Sequence, residues 1–82
     1  MSILYVVGLG PGDYESISIK ADKTLRQCET IVGYHVYIDL IKERYTDKKI
    51  ITTPMTREAE RCRLALEEAR AGRVTAMVCS GD

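Results

Sequence analysis

The chain has 82 residues, of which 45% are hydrophobic, so it can form one small domain or part of a larger one. Its twelve basic and twelve acidic side chains cancel. Overall charge therefore offers no hold on a nucleic acid or an anionic membrane surface, and neither partner is expected.

No apolar run approaches the roughly 20 residues of a membrane span. Met1-Ser2 leads into the first strand without the basic segment of a signal peptide, and the expected location is the cytoplasm. Cys28, Cys62 and Cys79 are widely spaced and form no C-x-x-C pair. They are expected to be buried, reduced thiols. No His/Cys/Asp cluster has ligand spacing, so no protein-bound metal is expected.

Ile3 to Val7 is a continuous apolar run, which suits a strand buried on both faces of a parallel sheet. Gly8, Gly10 and Gly12 follow at every second position, with Pro11 among them and Asp13 behind. Glycine allows close approach of another group, and proline fixes one φ and donates nothing. The stretch reads as a shaped loop at the carboxyl end of a strand, where open α/β sheets hold ligands. It is not a dinucleotide fingerprint, because the last glycine of G-x-G-x-x-G would fall on Asp13. It is not a P-loop either, since Gly12-Asp13-Tyr14 replaces Gly-Lys-Ser/Thr.

Ser16 or Ser18 can cap a helix running to about Cys28, with Ile17, Ala21, Leu25 and Cys28 on one face. Thr30 to Gly33 forms a second strand. Tyr34 to Arg44 fits a short helix on the spacing of Val36, Tyr37, Leu40, Ile41 and Arg44. Lys48 to Thr52 is a third strand at a sheet edge, ended by Thr53-Pro54. Thr56 to Ala71 is the clearest helix: Thr56 is its expected N-cap, and Glu58 and Glu60 suit the positive end of its dipole. Its expected buried stripe is Ala59, Cys62, Leu66 and Ala69, and Gly72 terminates it. Arg73 to Cys79 is the fourth strand, leading into Ser80-Gly81-Asp82. The order β-α-β-α-β-α-β implies an α/β fold, a mostly parallel sheet with helices on both faces and right-handed crossovers.

The stretch LYVVGLGPGD with Ser18-Ile19-Lys20-Ala21, and the strand ending Val78-Cys79-Ser80-Gly81-Asp82, resemble two hallmarks of the tetrapyrrole methylases. The run VGYHVYIDLI from Val32 to Ile41 is most similar to the precorrin-3B C(17)-methyltransferase branch of cobalamin synthesis. The resemblance implies strand order 3-2-4-1-5 and a cleft between two domains. Residues 1–82 would then be an incomplete N-terminal unit, without the fifth strand and second domain. It implies S-adenosylmethionine as cofactor, contacted by Pro11, Ser80, Gly81 and Asp82. It also implies a tetrapyrrole substrate facing Gly10, Gly12 and Asp13, with Tyr34 and Tyr37 able to stack on the macrocycle. The reaction implied is methyl transfer to C17 of a cobalamin precursor with ring contraction, by the longer protein rather than by these residues alone.

Each assignment has a plainer counterpart. Asp13 also suits the positive end of the following helix, and Tyr34 and Tyr37 need no function as core aromatics. His35 is the lone histidine and invites an acid–base role, but it also fits an exposed helix start. Arg57, Arg61 and Arg63 read as a solvated helix face, with contact to substrate carboxylates as the alternative. No catalytic base is identified. Other family substrates (uroporphyrinogen, a protein or an RNA) and a non-catalytic ligand-binding module remain open. Without the fifth strand the first becomes a sheet edge, and self-association into a homodimer is expected.

Overall fold

A computed structural model describes residues 2–9 and 17–79. The strands are β1 (Leu4–Gly8), β2 (Thr30–Tyr34), β3 (Lys49–Thr53) and β4 (Thr75–Cys79). The helices are α1 (Ile19–Gln27), α2 (His35–Ile41), which continues as a 3-10 turn over Lys42–Arg44, and α3 (Glu58–Arg70). The strands pair in the order β1-β4-β2-β3, and every pairing is parallel. This is the expected α/β sheet and the expected order 3-2-4-1 read from the other edge.

The register sorts the strand residues onto two faces. Val7, Val78, Ala76 and Ile31 share one face, and α1 and α2 close it with Ala21, Leu25, Cys28, Ile38 and Ile41. Helix α1 begins as expected: Ser18 Oγ accepts the Ala21 N–H at 3.0 Å. Ile17 packs at the margin of the same cluster.

Tyr45 seals this layer at 1% exposure. Its hydroxyl donates to Asp22 Oδ1 at 2.5 Å, and Arg26 Nε donates to Asp22 Oδ2 at 2.9 Å. Burial and the Asp22 carboxylate push the Tyr45 phenol up to about 12. The hydrogen bonds from Tyr45 and Arg26 hold Asp22 below the usual carboxylate range.

The other face is more polar. It carries Thr30, Thr53 and Thr75, all buried, beside Val32 and Met77. Helix α3 covers it with Ala65 and Ala69. Glu68 accepts a hydrogen bond from Thr30 Oγ1 at 3.0 Å and one from Lys49 Nζ at 3.1 Å. Burial alone would raise the Glu68 pKa, but the bonds from Lys49 and Thr30 outweigh it and hold the carboxyl low.

Five expectations need correction. The α3 stripe is turned: Ala59, Cys62 and Leu66 are exposed, whereas Arg61 and Glu68 lie half-buried beside Ala65 and Ala69. The threonines beneath offer hydroxyls, so the helix presents charged partners to them. Thr56 is not the N-cap either: the helix starts at Glu58, and Arg57 caps it without a side-chain bond.

In α2 the buried residues are Ile38 and Ile41, while Val36 and Leu40 are exposed. Gly33 allows this close seating, since a Cβ there would lie 2.4 Å from Val78 Cγ2 and 3.1 Å from Ile38 Cδ1. Finally, β1 is not buried on both faces. It lies at the sheet edge, where α3 covers it only in part, and Val6 is 66% exposed. The same geometry leaves Cys62 exposed and Cys79 half-buried, so only Cys28 is the buried thiol expected.

Candidate active site

Because every pairing is parallel, all four strands end at one edge of the sheet. Gly8 stands opposite Cys79, and Tyr34 opposite Thr53. The Leu9 N–H donates to the Cys79 carbonyl at 3.0 Å, carrying the β1–β4 pairing one residue further. Leu9 and Cys79, which the glycine motif and Ser80-Gly81-Asp82 follow in sequence, are therefore adjacent and hydrogen-bonded. Gly10, Pro11, Gly12, Asp13, Ser80, Gly81 and Asp82 themselves lie outside the described residues. Gly8, Leu9 and Cys79 carry no charge at this point, and a pyrophosphate would find no cationic donor among them.

The β2 end supplies aromatics. Tyr34 precedes α2 with extended backbone and is half-buried. Its ring meets His35 edge-on at 4.8 Å and Tyr37 edge-on at 5.5 Å. His35 is exposed at the helix start, the plainer of its two readings. Tyr37 also packs against the core, so part of its ring has a structural task.

The β3 end supplies the residue that sequence reasoning grouped wrongly. Arg57 and Arg63 are solvated as expected, pairing with Glu60 and Glu67 on the outer surface of α3. Arg61 differs. Its Nη1 donates to Thr53 Oγ1 at 2.8 Å and to the Pro54 carbonyl at 3.2 Å. Its guanidinium carbon lies 6.0 Å from the Tyr34 ring centroid, within range of a cation–π contact. Spacing points to Arg61 only once the rotation of the helix is known: it lies four residues before Ala65 and eight before Ala69, on the true inward stripe. In the same turn Thr56 adopts φ 65°, which is costly for a β-branched residue.

Among the described residues, no group of three His, Cys, Asp or Glu side chains is arranged to hold a metal ion. No helix among them is long and apolar enough to cross a membrane.

The chain is 43% identical over 79 residues to the cobalamin biosynthesis protein CbiHC of Archaeoglobus fulgidus, covering 96% of this chain and 18% of that protein. It is 42% identical over 80 residues to a probable cobalt-factor III C(17)-methyltransferase of Salmonella typhimurium, covering 98% and 33%. The crystal structure of the methyltransferase CobJ superposes with a TM-score of 0.86 at 33% identity, over 100% of this chain and 34% of that one. The chain thus spans 18–34% of the length of these relatives. The model of the Tetrapyrrole (Corrin/Porphyrin) Methylases matches residues 3–82, and the chain belongs to that family.

Proposed function

We propose that these residues form the N-terminal α/β unit of a two-domain methyltransferase that adds a methyl group to C17 of a cobalamin precursor. The observation that carries the reading is the convergence of both family motifs on the paired ends of β1 and β4, through Leu9 N–H and Cys79 C=O. The names of the relatives support the substrate class.

S-adenosylmethionine, when bound, supplies an electrophilic methyl on a sulfonium. The ends of β1 and β4 suit such a cation, since Gly8, Leu9 and Cys79 are uncharged and the sequence of each motif carries an acid, Asp13 and Asp82. Pro11 and Ser80–Asp82 would hold the cofactor. Gly10, Gly12 and Asp13 would face the macrocycle, and Tyr34 and Tyr37 would bear on its plane.

The chain's part in the chemistry is positioning and exclusion of water. A methyl transfer needs the nucleophilic carbon close to and in line with the sulfonium. Among the described site residues, the fixed elements are strand ends and a ring cluster rather than an acid–base triad. Free thiols at Cys28, Cys62 and Cys79 support a reducing compartment, and we read the cytoplasm as its location.

The test is a chimera in which this chain replaces the matched segment of the Salmonella relative. It is assayed with cobalt-factor III and S-adenosylmethionine labelled in the methyl carbon. A labelled methyl at C17, located by NMR, supports the reading. A folded chimera that binds S-adenosylmethionine but labels another carbon, or none, overturns it.

A further inference from the structure

We propose that Arg61 recognises a carboxylate side chain of the tetrapyrrole and so helps select an acid-bearing macrocycle over its amidated forms. This rests on the tetrapyrrole reading above and adds a residue to it.

The position is right. Arg61 lies near the amino end of α3, and Thr53 and Pro54 place its head at the edge where the four strands end. Its orientation is fixed as well. Both of its hydrogen bonds come from Nη1, which leaves Nε and Nη2 without a partner among the described residues. The Tyr34 ring flanks the guanidinium at 6.0 Å. A guanidinium held by one nitrogen presents the rest of its planar fork, the arrangement that grips a carboxylate with two parallel bonds.

The electrostatic setting favours an anion too. Neither Arg57 nor Arg63 competes, since Glu60 and Glu67 engage them. Arg61 has no carboxylate partner among the described residues, unlike its neighbours, and the N-terminal turns of α3 add a favourable dipole. The aromatic cluster of Tyr34, His35 and Tyr37 lies beside it, so a flat macrocycle on those rings would carry its rim groups toward the guanidinium. The strained turn at Thr56 leads into the same helix.

The experiment compares two water-soluble cobalt corrins, cobyrinic acid and its amide counterpart cobinamide, titrated against this chain within the chimera described above and followed by corrin absorbance. The unmodified chain should bind the acid at least about 10-fold more tightly than the amide. Arg61→Gln should weaken the acid by about 10-fold or more while cobinamide changes less than about 2-fold. Arg61→Lys keeps the charge but not the fork, and should fall between them. Circular dichroism confirms that each variant is folded, and Arg61→Lys serves if Arg61→Gln is not. Equal acid affinity for the chain and its variants, or parallel loss of both corrins, would overturn the role of Arg61 while leaving tetrapyrrole binding in place. Failure of the unmodified chain to bind either corrin would overturn both.

Discussion

Replacing Gly33 by alanine puts a Cβ 2.4 Å from Val78 Cγ2 and 3.1 Å from Ile38 Cδ1. Carbon atoms in contact normally sit about 3.5–4.0 Å apart, so more than an ångström must be recovered on the Val78 side. Val78 is 2% exposed and Ile38 1%, and both are β-branched with little rotamer freedom. The strand β4 or the helix α2 would have to move instead. Overpacking of this kind costs about 1–3 kcal/mol, and two stiff neighbours place the cost in the upper half. A chain this size has roughly 4–12 kcal/mol of stability in all, so the loss is large.

Val78→Ala removes the obstructing methyl and alone should cost about 2 kcal/mol. In the double variant the new Cβ occupies part of the space vacated. Gly33→Ala should then add little further cost, giving a coupling of about 2 kcal/mol. Urea unfolding of the four proteins, read by circular dichroism, measures it. Additive effects within about 0.5 kcal/mol would refute the steric argument. Gly33 precedes Tyr34, so the displacement would also disturb the aromatic cluster.

Strand β1 has an open edge with Val6 at 66% exposure. We expect the chain to self-associate with rising concentration and Val6→Lys to suppress this in light scattering, whereas a compact monomer at every concentration would refute the expectation. Tyr45 should make the fold sensitive to alkali. Its folded pKa, about 12, exceeds the unfolded value of about 10, so the stabilisation is complete below pH about 10 and is lost as pH rises through about 12. Tyr45→Phe should remove that pH dependence in denaturation midpoints and cost about 1 kcal/mol near neutrality. Thr56→Gly should raise the unfolding free energy by about 0.5–1 kcal/mol through relief of the positive φ, and a loss would show that the turn is not strained.

The legible parts of the fold were those where one physical signal dominates. A continuous apolar run marked β1, mostly apolar stretches marked β2 and β4, and Lys48-Lys49 marked β3 as an edge strand. Ser18 marked the start of α1, and Gly72, at φ 91°, marked the stop of α3. The α3 face was misread because its inward stripe includes Arg61 and Glu68. Their partners, Thr53 and Thr30, lie 8 and 38 residues away in sequence, so no local periodicity reveals them. In α2, Ile38 is buried rather than Val36 or Leu40, and the cause is the missing side chain at Gly33 on the neighbouring strand. At the site, the ends of β1 and β4 were legible from their motifs, while the contribution of Arg61 depended on a helix rotation that sequence does not display.

That rotation has an identifiable cause. Glu68 anchors α3 towards the amino ends of the strands through Thr30, Lys49 and Arg73, and Arg61 anchors it at the carboxyl edge through Thr53. Thr30 is fully buried, so Glu68→Ala would leave its hydroxyl without an acceptor, a loss of about 1–3 kcal/mol. Lys49 and Arg73 are 53% and 43% exposed, so their ion pairs are screened and add at most about 1 kcal/mol each. Glu68→Gln keeps an acceptor for Thr30 and loses only the charge, so it should cost less than Glu68→Ala. The two variants therefore separate the hydrogen bond from the ion pairs.

The pH dependence gives an independent check. The folded-state pKa of Glu68 is depressed. Its contribution is therefore complete above the unfolded value of about 4.3 and is lost as pH falls through the folded one. Glu68→Gln should flatten the acid limb of the stability curve below pH about 4, because no carboxylate remains there to protonate. If Glu68→Ala and Glu68→Gln were equally mild at pH 7 and the acid limb kept its slope, the packing of Ala65 and Ala69 alone would set the rotation of α3. Arg61 would then reach the strand ends by default rather than through a paired anchor at each end of the helix.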